Sequence, residues 1–331
     1  MPDSELTIIS GSTVRQILEG EEELILAAVR NAYRAHGTGA TLCPGSKPLY
    51  AHGGRFFAMP ASIDGEAPMV GMKWVASFVA NLTGGGERAS ATLIANDAAT
   101  GRPLAIVDGT LISAKRTAAA AAIALQLVSA PSLRPSLALV GCGPINYEIF
   151  RFVNHLFPVT RLQLVDLDVA RRDAFAQRIE REFAGVTPVA ATLDEVLESA
   201  DVVSIATNAA TPHIDSVPSR PFTILHVSLR DLAPSVITSA VNIVDDIEHV
   251  CSARTSVHLA EMETGNRDFI QATIPRLLAG SDRYEPASVP TIVSPFGMAI
   301  LDLAVLHEVL ARANGQPGIT RVANFSGGVW R

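Results

Sequence analysis

Cysteine is scarce: three residues in 331, Cys43, Cys142 and Cys251, far apart and in no metal-ligand spacing. That argues against a disulfide framework and against a zinc site, and it suits a reducing cytoplasm. Charge is modest, at 18% of residues, and its balance is acidic, with a net charge of -7. With no basic stripe to neutralise phosphates, nucleic acid is excluded as a partner. Long apolar runs are missing too; none is read as approaching the ~20 residues a membrane helix needs. The first ten residues, MPDSELTIIS, lack the basic start and apolar core of a signal peptide. The sequence shows no internal repeat, low-complexity tract or flexible linker. What remains is 48% apolar residues over a length that suffices for two domains, as in a soluble α/β enzyme.

The most informative stretch runs from Leu137 to Asp166. An apolar run, Leu137 to Val140, leads into Gly141-Cys142-Gly143, then a helical pattern from Ile145 through Phe152. A second apolar run, Leu162 to Val165, ends on Asp166, about 25 residues beyond the first glycine. Strand, glycine turn, helix, strand and acid is the order of a dinucleotide-binding βαβ unit. Gly141 suits the tight turn, and Gly143 lets backbone approach a pyrophosphate. The helix start, with Pro144, Ile145 and Asn146, offers free N–H groups to the same anion. Asn146 stands where Gly or Ala is usual. Asp166 accepts hydrogen bonds from a ribose diol and repels a 2′-phosphate, so NAD is the expected cofactor. Arg171 and Arg172, which could instead accommodate that phosphate, read as a solvated helix face.

The flanking sequence has another character. Residues 5–9 read as a strand, and Thr13 to Gln16 as a capping box opening a short helix. A longer amphipathic helix follows over 21–36. Short β-like runs at 55–59, 70–76, 91–96 and 104–107, separated by turn residues, suggest an antiparallel sheet. An alanine-rich helix is expected over 116–128. From Leu137 strands alternate with helices, at 137–140, 162–165, 187–190, 202–206, 223–228 and 241–245, which implies a doubly wound parallel sheet. A last helix is expected over 298–313. The fold class is therefore α/β, a central Rossmann-type doubly wound sheet inserted into an α+β substrate and dimerisation domain. The boundaries are 1–115 plus 297–331 for the outer domain and 116–296 for the NAD-binding one.

Polar residues in apolar settings are the candidates for chemistry. Lys73, in VGMKWVASF, is flanked by apolar residues on a strand, where burial pulls a lysine toward acid–base work. Arg116, at the start of the alanine-rich helix, suits a bidentate carboxylate clamp, as do Arg55 and Arg88. Asp231 follows the fifth strand of the parallel sheet, where ligands of such sheets bind. By the same logic Thr207 and Asn208, with Ser228 and Thr117, are assigned to the cofactor. His226 reads as a core histidine. Asp245-Asp246 has no neighbouring cluster to make a metal site.

These pieces together resemble the ornithine cyclodeaminase/μ-crystallin family. The resemblance is carried by FFAMPA at 56–61, GMKW at 71–74, TGRPLAIVDGTLISAKRTAAA at 100–120, VGCG at 140–143 and SPFGMAILDLA at 294–304. Within the family the chain looks most like the N-(2-amino-2-carboxyethyl)-glutamate dehydrogenases, through RFFAMPASI, ERAS at 87–90 and LIAND. That branch implies NAD-dependent oxidative cleavage of N-(2-amino-2-carboxyethyl)-L-glutamate to L-2,3-diaminopropionate and 2-oxoglutarate, for siderophores or peptide antibiotics. It also implies a homodimer acting on a small amino-acid substrate. By the same resemblance Lys73 is the active-site lysine, Asp231 the catalytic aspartate and Arg116 the substrate-carboxylate arginine. The second carboxylate-binding cation falls to Lys47, Arg55 or Arg88. The alternatives are an ornithine cyclodeaminase, a ketimine reductase or alanine dehydrogenase-like enzyme, and a binding protein for NAD(P) without turnover.

Overall fold

The computed structural model of the chain describes residues 5–65 and 67–325, with backbone alone at 82 and 83. The chain divides into two compact units, Met1–Arg116 with Met298–Arg331, and Thr117–Gly297.

The first unit holds strands β1 (Leu6–Ile9), β2 (Thr41–Leu42), β3 (Lys47–Ala51), β4 (Gly54–Ile63), β5 (Met69–Ser77), β6 (Ala89–Asn96), β7 (Pro103–Asp108) and, last in the chain, β16 (Ile319–Val322). They form one sheet in the order β16-β1-β7-β6-β5-β4-β2, with β3 also paired to β4. Every pairing is antiparallel except β1 with β7. The alternation of β5–β7 puts Gly71, Lys73, Leu93, Ala95, Ala105 and Val107 on the buried face. The helix Ala299–Arg312 packs there against β4, β5 and β6, and the helix Glu22–Gly37 packs on it in turn. Gly71 makes the close approach possible: a Cβ there would meet the Ile94 carbonyl at 2.3 Å and Leu303 at 2.9 Å.

Among the described residues, no helix of its own unit is seen packed on the opposite face of this sheet. Ile8 pairs with Ile106, Ile106 with Ile94 and Ile94 with Met72, which sets one apolar row across four strands. Val70, Trp74 and Leu104 border it and are 37%, 36% and 43% exposed.

The second unit is an eight-stranded, fully parallel sheet: β8 (Ser136–Val140), β9 (Arg161–Val165), β10 (Val189–Ala190), β11 (Val202–Ile205), β12 (Thr223–His226), β13 (Val241–Val244), β14 (Ile270–Thr273) and β15 (Thr291–Ser294). Their order is β10-β9-β8-β11-β12-β15-β13-β14. The direction of chain progress reverses between β8 and β11, the switch point beside which open α/β sheets bind ligands. Ala138, Val203, Ile224, Val244 and Ile292 fill its core with Val196, Val236 and Val257 from the helices.

Four expectations need correction. The parallel sheet has two strands beyond the six expected, β14 and β15; each is four residues long, and β15 is set off by Pro290 and Pro295. Ser10, not Thr13, caps the first helix, Gly11–Leu18, accepting from the Thr13 N–H. The alanine-rich helix begins at Thr110, so Arg116 lies in its second turn and not at its positive end. The start was hidden in Asp108-Gly109, which reads as a turn. In fact the Gly109 carbonyl accepts from Ser113, and the Asp108 carboxylate from the Thr110 N–H. At 19 residues, Thr110–Val128 is also long and apolar enough to cross a membrane, contrary to the sequence reading. It is mostly buried in the protein, as core helices are.

Candidate active site

In the first unit the site grows from the pleat of β5. Lys73 points into the buried face, where its Nζ lies 2.7 Å from Asp302 Oδ2 and donates to Ser113 Oγ at 3.3 Å. The Arg116 Nε lies 3.2 Å from the same Asp302 oxygen, off hydrogen-bond geometry, and the other oxygen of Asp302 has no hydrogen-bond partner. Lys73, Arg116 and Asp302 are all buried. Burial, and then the Arg116 charge, pull the Lys73 ammonium down to about 8, against the Asp302 pair that raises it. Two cations thus share one carboxylate away from water. Such an excess of buried charge is costly unless an anion completes it.

Strand register decides among the other cations. Arg55 pairs with Ser77, and residue 77 shares the face of Lys73. Arg88 donates to Ser77 Oγ at 2.9 Å. Burial and the nearby Arg55 charge hold the Arg88 guanidinium below its ordinary value. Arg55 and Arg88 therefore form a second cationic group flanking Ser77. Lys47 pairs with Ala58, which pairs with Trp74, so it stands exposed on the opposite face. The expectation of Lys47 as a carboxylate-binding cation beside Lys73 is corrected by that register.

In the second unit Asp231 has no exposed surface. Thr207 Oγ1 donates to its Oδ1 and Ser228 Oγ to its Oδ2. His226 Nε2 lies 3.3 Å from Oδ2 and His213 Nε2 3.2 Å from Oδ1. These hydrogen bonds outweigh burial and hold the carboxyl well below the usual carboxylate range. Burial lowers His226, which stays neutral. The hydroxyls of Thr207 and Ser228, expected on the cofactor, are thus committed to Asp231, while Asn208 is exposed on the same loop. Asp231 is thus an anion with both oxygens engaged. Leu229, at φ 68, carries the backbone through the left-handed region just before it, an arrangement that costs of order 1–3 kcal/mol for a residue with a side chain.

The glycine loop lies at the ends of β8 and β9. Gly141 has φ +92, and a Cβ there would meet the Ala206 carbonyl at 2.4 Å; around Gly143 a Cβ would meet nothing within 4 Å. Gly143 caps the helix Pro144–Leu156, whose first N–H groups, at Ile145 and Asn146, have no carbonyl partner within the helix. Asp166 accepts from the N–H of Cys142 at 2.7 Å and of Asp168 at 2.9 Å, which fixes a carboxylate beside the loop. Arg171 lies between Asp166 and Asp168 at 3.8 and 3.4 Å, and Arg172 pairs with Asp173. These residues fit NAD: backbone donors for the pyrophosphate and a held acid for the ribose diol. Asn146 is the exception. Its carboxamide is fully buried, donating to the Val140 and Gly141 carbonyls at 2.9 and 2.7 Å and accepting from Ser204 at 2.7 Å. Its side chain ties the loop to the sheet from behind, so only its backbone N–H is left to face the cofactor.

Thr117 is the first residue of the second unit, on the same helix as Arg116. Asp302 and His213 are the functional candidates that sequence reasoning missed. Asp302 was hidden in an apolar helix, MAILDLA, where a lone acid is itself the signal of a buried partner. His213 stood in an unremarked loop. Asp245 accepts from the N–H groups of Phe296 and Gly297, at 2.9 and 2.6 Å, so it anchors a chain crossing. Among the described residues no cluster of three His, Cys, Asp or Glu could hold a metal.

A switch-point NAD site and a buried Lys–Asp–Arg cluster define an NAD-dependent enzyme of amino-acid oxidation or imine reduction. The chain belongs to the ornithine cyclodeaminase/mu-crystallin family, whose model matches residues 22–217. It is 25% identical to the N-((2S)-2-amino-2-carboxyethyl)-L-glutamate dehydrogenase of Staphylococcus aureus, over 94% of this chain and 96% of that protein. To the alanine dehydrogenase of Archaeoglobus fulgidus it is 26% identical, over 93% and 95%. The Δ1-pyrroline-2-carboxylate reductase of Thermococcus litoralis, solved with NADH and L-proline, has the same fold, with a TM-score of 0.84 at 20% identity over 92% of this chain and 97% of that one. The class is therefore that of the family's NAD-dependent dehydrogenases, reductases and cyclodeaminases.

Proposed function

We propose that this protein cleaves N-(2-amino-2-carboxyethyl)-L-glutamate oxidatively to L-2,3-diaminopropionate and 2-oxoglutarate. The observation that carries the reading is the pair of cationic groups on one face of the first unit's sheet, Lys73 with Arg116 and Arg55 with Arg88. A substrate with three carboxylates needs more than one such group; alanine or proline needs one. The similarity to the Staphylococcus aureus dehydrogenase supports the same choice.

NAD supplies the two-electron acceptor for the glutamate Cα–H bond. Lys73 and Arg116 hold the adjacent carboxylate and so orient that bond, while Arg88 and Arg55 hold a second one. The resulting C=N bond is hydrolysed, so that adduct, NAD+ and water give the two products, NADH and a proton. The product would feed siderophore or peptide-antibiotic assembly. The apolar face with Ile8, Ile94, Ile106 and Trp74 is assigned to a second copy of the chain, giving a homodimer, and the setting is assigned to the cytoplasm.

The test is absorbance at 340 nm with purified protein, NAD and the synthetic adduct, with ornithine, alanine and proline in parallel. NADH appearing together with 2-oxoglutarate from the adduct is expected. Proline and ammonia from ornithine without net NADH would move the protein to the cyclodeaminases.

A further inference from the structure

Hydrolysis of the C=N bond needs a group that takes a proton from water, and Asp231 is fully buried with both oxygens engaged by Thr207, His213, His226 and Ser228. His213 is the most open of the groups around Asp231, its side chain 41% exposed. Backbone fixes its position: the N–H groups of His213 and Ile214 both donate to the Asp231 carbonyl at 2.9 Å, and the Ala233 N–H returns to Ile214 at 2.9 Å. Ile214 and Leu232 thereby form a short parallel bridge that sets the two side chains against each other. A carboxylate only accepts, so Nε2 of His213 carries the hydrogen toward Asp231. In the neutral ring Nδ1 is then the basic nitrogen, directed away from the acid. The 207–214 loop follows β11, at the switch-point end of the parallel sheet.

We propose that His213 is the catalytic proton carrier for imine hydrolysis, with Asp231 as its positioning residue. This rests on the oxidative reading above. The oxygen of water bonds to the carbon of the protonated imine, the C=N π pair passes to nitrogen, and one water proton passes to Nδ1. Nδ1 then returns that proton to the nitrogen. As the C–N bond breaks, the hydroxyl proton follows, so the water oxygen becomes the keto oxygen and both water protons end on the released amine. The histidine finishes as it began. Thr207, Ser228 and His226 act one step further back, by keeping Asp231 ionised and still.

The experiment uses the full chain with His213→Gln and His213→Gly, NAD and the adduct, followed at 340 nm in stopped flow and by quenched assay of 2-oxoglutarate. Both variants are expected to form one NADH per site in a burst near the wild-type rate. Turnover should then be about 100-fold slower or more, the usual scale of general acid–base help. Free imidazole should restore turnover to His213→Gly and leave the wild-type chain unchanged, which a merely structural role would not produce. Steady-state rates within about threefold of wild type, or loss of the burst itself, would overturn the assignment. Should the wild-type chain leave the adduct untouched, the substrate reading fails by itself. The same burst and rescue are then read with whichever amino acid the wild-type chain oxidises.

Discussion

Lys73 and Asp302, 229 residues apart in the chain, meet at 2.7 Å with almost no exposed side-chain surface. The pair ties the second strand of a hairpin to the helix that covers it, and it leaves Arg116 as the surplus cation. Because burial lowers the Lys73 pKa to about 8, the folded chain loses this proton while an unfolded chain still holds it. Stability therefore rises with pH between about 8 and the ordinary value of 10.5. The cation assigned to the substrate carboxylate disappears over the same range.

The expected consequence is a fall in kcat/KM above a pH of about 8, measured with NAD saturating and substrate limiting. Lys73→Arg should abolish that limb, since arginine keeps its charge. Asp302→Asn, which removes the influence raising the lysine, should move it to lower pH. An unmoved limb in both variants would detach it from Lys73. Asp302→Asn also strands two buried cations, at a cost of about 3–5 kcal/mol, so its melting temperature should fall.

Arg88 bears on substrate size. Arg88→Met removes a charge-assisted contact worth about 1.5–3 kcal/mol, equal to a rise of roughly 10–100-fold in the inhibition constant of 2-oxoglutarate. The inhibition constant of pyruvate, with one carboxylate, should hardly change. Equal loss for both would deny Arg55 and Arg88 a carboxylate of their own.

Gly141→Ala sets a Cβ 2.4 Å from the Ala206 carbonyl in a conformation that L residues avoid. NAD affinity, read by fluorescence titration, should drop by about tenfold or more, because the turn that presents the backbone must shift. Gly143→Ala meets nothing in the protein and should melt like the wild-type chain while still weakening NAD. That split separates close approach to a ligand from packing.

The uncovered apolar row should behave as an interface. Trp74→Glu places a charge on that face, and sedimentation is expected to show monomer where the wild-type chain gives dimer. A wild-type chain that sediments as monomer at micromolar concentration would remove the dimer assignment.

The strand–glycine–helix–strand–acid order was plain in the sequence because each part has a strong local signature, and so were the short β-runs of the first unit. Asp231 was found by its place after a strand. Its buried state was not legible, because that depends on Thr207 and His213 arriving from a separate loop to meet His226, Ser228 and Asp231. The start of the alanine-rich helix was misplaced because Asp108-Gly109 signals a turn as strongly as a cap. Lys47, Arg55 and Arg88 looked alike until register assigned their faces; a shift of one residue would have exchanged them. Asp302 needed tertiary contacts across most of the chain.

Asn146 and Ser204 hydrogen-bond to each other inside the second unit, and Asn146 also holds the two carbonyls that end β8. Either residue replaced alone leaves buried polar atoms without partners, at about 1–3 kcal/mol for each. Replaced together by small apolar residues, they relieve part of that loss. Their effects on melting should fall short of a simple sum. The pair therefore acts as a unit: alanine at position 146 alone would gain little until position 204 changed too, and a redesign of this loop has to move both together.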